Sequence, residues 1–160
     1  MASPDTPGVI APPPLIGLAA LVIGLALEWL LPTNVVATAL PVSLRVVIGV
    51  AIAVAGAALA IVGRQLFKTS GTNVEPWKPA LHLVTTGIYT RLRNPMYMGL
   101  LLLLLGIGIA IASAWTILMF VVTAVILHYG VVLREERYLE VKFGEDYRRY
   151  KARVPRWGIF

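Results

Sequence analysis

Long apolar runs separated by short polar ones make up most of this chain, and the runs are too long and too uniform for the core of a soluble domain. Residues 15–31 lie between Pro12-Pro13-Pro14 and Pro32 and contain a single charge, Glu28. Residues 44–63 follow Pro41, with Ser43 placed to cap a helix N-terminus. Residues 96–133 are 38 positions without a formal charge. One straight helix of that length would run about 57 Å, against roughly 30 Å of bilayer hydrocarbon. The run therefore predicts two helices folded back near Ser113 and Ala114, with Trp115 at the interface. The predicted spans are 15–31, 44–63, 96–113 and 114–133. Residues 1–14 carry no Lys or Arg for the n-region of a secretory signal, so the first run is read as a span.

Two polar pieces remain. Residues 64–95 join the second and third spans, and their Gly71, Pro76 and Pro79 argue against one continuous helix. Residues 134–160 form a tail in which Leu139, Phe143, Tyr147 and Tyr150 recur at helical spacing, predicting an amphipathic helix. Gly144 is placed to interrupt it and Pro155 to end it. The fold class expected is an all-α integral membrane protein, one domain over 1–160. It has four transmembrane helices, the last two a tight helical hairpin, and a cytoplasmic C-terminal amphipathic helix.

Composition narrows the chemistry. Of 160 residues, 58% are hydrophobic and 14% charged, which excludes a disordered chain. The absence of cysteine excludes disulfides, a thiol nucleophile and a cysteine-ligated zinc. No metal site and no covalent catalytic residue is expected. The net charge is +6, and of the 14 Lys and Arg only Arg45 lies outside the two polar pieces. That asymmetry places residues 64–95, the C-terminus and, with four spans, the N-terminus in the cytoplasm, with the protein in the cell's inner or plasma membrane. Anionic headgroups account for the excess positive charge, and no nucleic-acid partner is expected. Small residues at Gly49, Ala53, Gly56, Ala60 and Gly63 form a stripe for close helix packing. Gly99, Gly106 and Ser113 supply a matching face. The same stripe permits a homodimer. Glu28, beside Trp29, is expected to reach the interface.

The residues bearing chemistry flank the last two spans. Arg134, Glu135 and Glu136 follow the fourth, where adjacent carboxylates repel unless a cation or hydroxyls engage them. Met96 and Tyr97 open the third, with Pro95 suited to its first turn. A hairpin brings the two clusters to one depth and encloses a pocket half in water and half in lipid. Such a pocket suits a water-soluble cofactor and a lipophilic substrate entering sideways.

The run LHLVTTGIYTRLRNPMYMG, a hydrophobic hairpin and EERYLEVKFGEDYRRYKARVP resembles the isoprenylcysteine carboxyl methyltransferase family, whose C-terminal signature is shared with phospholipid N-methyltransferases. The shared pattern spans about Leu81 to Trp157. The resemblance implies S-adenosylmethionine as cofactor and a lipophilic or prenylated methyl acceptor drawn from the membrane. It places Leu81, His82, Leu83 and Val84, Tyr89, the segment Asn94, Pro95, Met96 and Tyr97, and Glu135 at the cofactor. Asn94 stands where the family has histidine, and Asn keeps a donor and an acceptor but cannot titrate near neutrality. Val131 occupies the position of the family's substrate-facing arginine, with Arg134 an unaligned replacement. Arg91 and Arg93 are either orientation charges or partners of the cofactor's carboxylate. Phe160 stands near the family's final proline. Three other readings stay open: phospholipid N-methylation, an NADPH-dependent sterol-type membrane reductase, and a non-catalytic scaffold.

Overall fold

A computed structural model describes residues 5–158, and among these the chain is helical without strands. Its helices are α1 (Pro13–Leu30), the short α2 (Val35–Ala39), α3 (Val42–Thr69), α4 (Pro95–Ala110), α5 (Ala114–Leu127) and α6 (Leu133–Arg153), with a single 3₁₀ turn at Gly87–Thr90. A π-helical turn, His128–Val132, joins α5 to α6 without a break. Three helical runs are long and apolar enough to cross a membrane: α1, α3 and the run Ala114–Arg153, whose apolar part ends at Leu133. The apolar α4 is shorter, at 16 residues. Large side chains such as Leu18, Val47, Val54 and Val121 point outward on α1, α3 and α5, a surface suited to lipid rather than water.

The bundle is closed by small residues. A Cβ on Gly106 would lie 2.5 Å from the backbone of both Ala53 and Gly49, and one on Gly56 would lie 2.7 Å from the Gly99 carbonyl. Gly49, Gly56, Gly99 and Gly106 therefore let α3 and α4 touch backbone to backbone, where dispersion replaces the hydrophobic drive that lipid removes. The glycines of the stripe are used within the chain, in the contact between α3 and α4. Ser113 does not join that face. It caps α5 instead, its hydroxyl accepting from the amide of Thr116 at 3.1 Å.

Several boundaries differ from expectation. Ser43 caps nothing: α3 starts two residues earlier than expected, at Val42 after Pro41, with no side-chain cap. The second predicted span, α3, runs on past 63 to Thr69, because nothing in Arg64–Thr69 breaks a helix and the next glycine with a left-handed backbone is Gly71 (φ +68°). Arg64 and Lys68 therefore sit on α3, not in a loop. The hairpin turn falls at Ile111–Ser113, with Ala112 at φ +58°. Glu28 does not reach for solvent alone: it accepts from the Thr33 amide at 2.6 Å, closing the end of α1. Phe160 lies outside the described residues.

Beyond Leu133 the helix leaves the apolar run and breaks at Gly144, whose φ of +55° and ψ of −122° are not helical. In a straight helix residues 140 and 151 would be about 16 Å apart along the axis. Here Lys151 reaches Glu140 at 3.1 Å, so the last part of α6 doubles back. Tyr147, Tyr150 and Val154 then pack with Leu83, Leu139 and Phe143 into a second small core at this end of the bundle.

Candidate functional site

Pro95, with no N–H to leave unpaired, begins α4, and this places Tyr97 in the first turn. The continuous helix through the π-turn places Glu135 opposite it. The Tyr97 hydroxyl donates to Glu135 Oε1 at 2.6 Å, joining residues 38 positions apart. The two polar clusters thus meet at one end of the bundle. They line a cleft of about 830 Å³ of empty space, counted out to its open mouth, between α6, the end of α3 and the 73–84 loop.

Nine of the expected residues line this cleft: His82, Leu83, Val84, Tyr89, Asn94, Pro95, Met96, Tyr97 and Glu135. Leu81 does not; it is exposed. Its amide, with that of His82, donates to the buried Thr72 hydroxyl at 2.9 and 3.2 Å, which holds the loop but turns the Leu81 side chain away. Arg134 is also outside the cleft, exposed and donating to the Gly8 carbonyl at 2.9 Å. Val131 is fully buried in the core around Tyr97, Leu101 and Leu127. Neither residue brings a cation to the cleft. Arg91 is exposed, whereas Arg93 lines the cleft and is committed to Glu136 at 2.8 Å.

The paired glutamates have different surroundings. Glu136 is buried, with Arg93 at 2.8 Å and a two-pronged contact from Arg156 at 2.7 and 2.8 Å. Burial works against its charge, but the Arg156 hydrogen bonds and the Arg93 charge outweigh it and hold the carboxyl below its ordinary range. Glu135, recessed in the cleft, has no cationic partner among the described residues. Desolvation pushes its carboxyl up to about 7, with the neighbouring Glu136 charge adding to the shift and the Tyr97 hydrogen bond only partly offsetting it.

Aromatic groups line the same cleft as this carboxylate. Tyr89, Tyr97, Tyr138, Tyr147, Tyr150 and Phe67 all line the cleft. Tyr89 stacks at a tilt on Phe67, 5.2 Å between centroids, and burial keeps its phenol neutral well past the ordinary range. The Tyr150 hydroxyl donates to the Tyr89 carbonyl at 2.8 Å. Asn94 Nδ2 donates to the Arg156 carbonyl at 3.1 Å, so the residue at the family's histidine position holds the chain's tail while still lining the cleft. Tyr138 is the node that sequence reasoning missed. Its hydroxyl accepts from the Ala80 amide at 3.0 Å and donates to Asp5 at 2.9 Å. Arg156 was missed too, since nothing in a basic tail singles out the arginine that folds onto Glu136.

A carboxylate without a cationic partner among the described residues, in a cleft lined by aromatic side chains, has the chemistry to pair with an organic cation. No group of His, Asp and Glu able to hold a metal occurs among the described residues. Over 62 residues the chain is 40% identical to an uncharacterized protein of Haemophilus influenzae, a stretch covering 39% of this chain and 98% of that protein. No solved structure matches the chain. Residues 44–146, more than half of the sequence and inclusive of all the cleft lining but Pro7, Tyr147 and Tyr150, match the phospholipid methyltransferase family. The chain belongs to that family.

Proposed function

We propose that this protein is an integral membrane methyltransferase that uses S-adenosylmethionine and acts on a lipophilic acceptor at the cytoplasmic membrane face. Four spans, α1, α3, α4 and α5, carry the cleft, and the crowding of Lys and Arg at the cleft end orients it inward. The observation that carries the reading is Glu135: a recessed carboxylate held by one phenol, without a cationic partner among the described residues, in a cleft lined by aromatic side chains. S-adenosylmethionine, when bound, supplies an activated methyl group on a sulfonium centre.

Glu135 accepts from the cofactor's ammonium or ribose hydroxyls, and Tyr97 fixes the orientation of that carboxylate. Phe67 and Tyr138, the part-buried aromatic residues of the lining, offer aromatic faces to a cation. Val84, Pro95 and Met96 exclude water from the reacting end, and exclusion of water strengthens every charge interaction inside. Positioning carries the rate, so no covalent intermediate on the protein is required.

Of the acceptors, the amine of a phospholipid headgroup is favoured over a prenylcysteine carboxylate. The family's arginine position holds the buried Val131, and Arg134, the one candidate replacement, is held at Gly8 outside the cleft, so neither position offers a cation to a carboxylate there. Purified protein given methyl-labelled cofactor and phosphatidylethanolamine or a prenylcysteine is expected to label the phospholipid. Labelling of the prenylcysteine alone would reverse the choice of acceptor. Absence of any transfer, with the cofactor bound, would return the protein to a scaffold. Calorimetric titration with NADPH in parallel tests the reductase reading, and no binding is expected.

A further inference from the structure

Residues 151–156 form a second cavity, which shares only Arg93 with the aromatic cleft. It is open, holds about 700 Å³ of empty space, and its charged lining is Arg93, Lys151, Arg153 and Arg156, with no acid. Two carboxylates approach these four cations from outside the lining: Glu136 serves Arg93 and Arg156, and Glu140 serves Lys151. Among the described residues, Arg153 and one charge of the Arg93–Arg156 pair have no compensating acid. The Arg93 side chain is nine-tenths buried, and its Nε has no hydrogen-bond acceptor among the described residues. A buried guanidinium N–H without an acceptor is costly. Cations in a last helical turn also answer the helix dipole, which accounts for Lys151 and Arg153 but not for Arg93, which lies outside any helix.

The depth of this cavity follows from the kink at Gly144. The doubled-back chain brings Trp157 onto the cluster of Tyr97, Leu127 and Val131, its ring 6.4 Å from that of His128. These are the residues where the apolar runs of α4 and α5 end, and tryptophan is at home at that boundary. Residues 151–156 therefore lie at the level of lipid headgroups.

We propose that this niche binds the phosphate of an anionic membrane phospholipid. Guanidinium forks match the paired oxygens of a phosphodiester, and the uncompensated charge selects an anionic headgroup over a zwitterionic one. The proposal rests on the membrane setting, not on methyl transfer: Lys151, Arg153 and Arg156 do not line the aromatic cleft.

The test is calorimetric titration of the full chain in neutral detergent with dihexanoyl phosphatidylglycerol, dihexanoyl phosphatidylcholine and inorganic phosphate in separate arms. Saturable binding of the phosphatidylglycerol, at least about tenfold tighter than of the other two, is expected. Lys151→Gln with Arg153→Gln should weaken it about tenfold while S-adenosylmethionine affinity and circular dichroism stay unchanged. If the double variant does not fold, Arg153→Gln alone, at an exposed position, should weaken binding several-fold. Equal binding of both lipids, or wild-type affinity in the folded variants, overturns the site. Inorganic phosphate binding as tightly as the lipid assigns the niche to a soluble anion and overturns the lipid reading.

Discussion

At the scale of single residues, adjacency in sequence hides a division of labour. Glu135 and Glu136 look alike in the chain, yet one faces two arginines and the other only a phenol. Glu135→Gln should weaken cofactor binding about ten- to hundredfold, as loss of a charged hydrogen bond does, without unfolding the protein; calorimetric titration decides it. The carboxyl at about 7 adds a pH signature. A cation favours the ionised form, and a group with that midpoint is about one-tenth ionised at pH 6 and nine-tenths at pH 8. Cofactor affinity should therefore rise roughly tenfold between those values and stay flat in Glu135→Gln. The sign for folding is opposite. A carboxyl raised in the folded state takes up protons that the unfolded chain does not, so its contribution favours folding below its unfolded value and is lost as pH rises through 7. Without ligand, this group makes the protein less stable at pH 8 than at pH 5.

At the scale of elements, two kinds of glycine do different work. Gly106 faces Ala53 and Gly49 backbone atoms at 2.5 Å from where its Cβ would stand. Gly106→Ala should then force α3 and α4 apart and cost about 1–3 kcal/mol, read as a fall in thermal midpoint in detergent. Gly144 has open space around it but a φ of +55°. Gly144→Ala should cost about 1–3 kcal/mol in strain, because φ +55° with ψ −122° lies outside the left-handed helical well, and it should also disturb the return of the tail, read by cross-linking of cysteines introduced at positions 140 and 151. The small-residue spacing was legible in the sequence because close packing needs little more than an absent side chain. The caps were less so: Ser43 and Ser113 have the same residue type, and only the turn geometry at Ile111–Ser113 gives one of them an amide to accept from. The π-turn was not legible at all. An extra residue in a turn rotates the downstream helix by about 100°, and so it helps decide which side of that helix Glu135 falls on.

At the scale of the whole molecule, the ends of the chain build the site. The tail is clipped beneath the cleft by Arg156 on Glu136, by Asn94 on the Arg156 carbonyl, and by the Arg93 amide on the Pro155 carbonyl at 3.0 Å. Removing Glu136 leaves two guanidiniums without their anion, a change that costs about 3–5 kcal/mol in buried pairs. Glu136→Ala should release the tail, seen as rapid proteolysis after Lys151 or Arg153, and should weaken cofactor binding through the loss of Tyr150 and Tyr147 from the wall. At the other end Asp5 meets Lys142 at 2.6 Å and Tyr138 at 2.9 Å, and Pro7 lines the cleft. None of these pairings has a sequence signal, since a basic tail offers many equivalent partners to one acid.

What the sequence determined alone were the quantities that depend on composition and local spacing. These are the apolar runs, the forced reversal of a 38-residue uncharged stretch, the close-packing stripe, and the two polar clusters at the ends of the last helices. Each comes from a length or a period that any fold of this chain must respect. The tertiary structure decided everything that depends on which distant groups meet. It gave Glu136 its arginines and left Glu135 with none, turned Leu81 and Arg134 out of the cleft, and spent the glycine stripe inside the chain. Charge neutralisation and exclusion from water are properties of neighbours in space, and they become fixed only when the chain has folded back on itself.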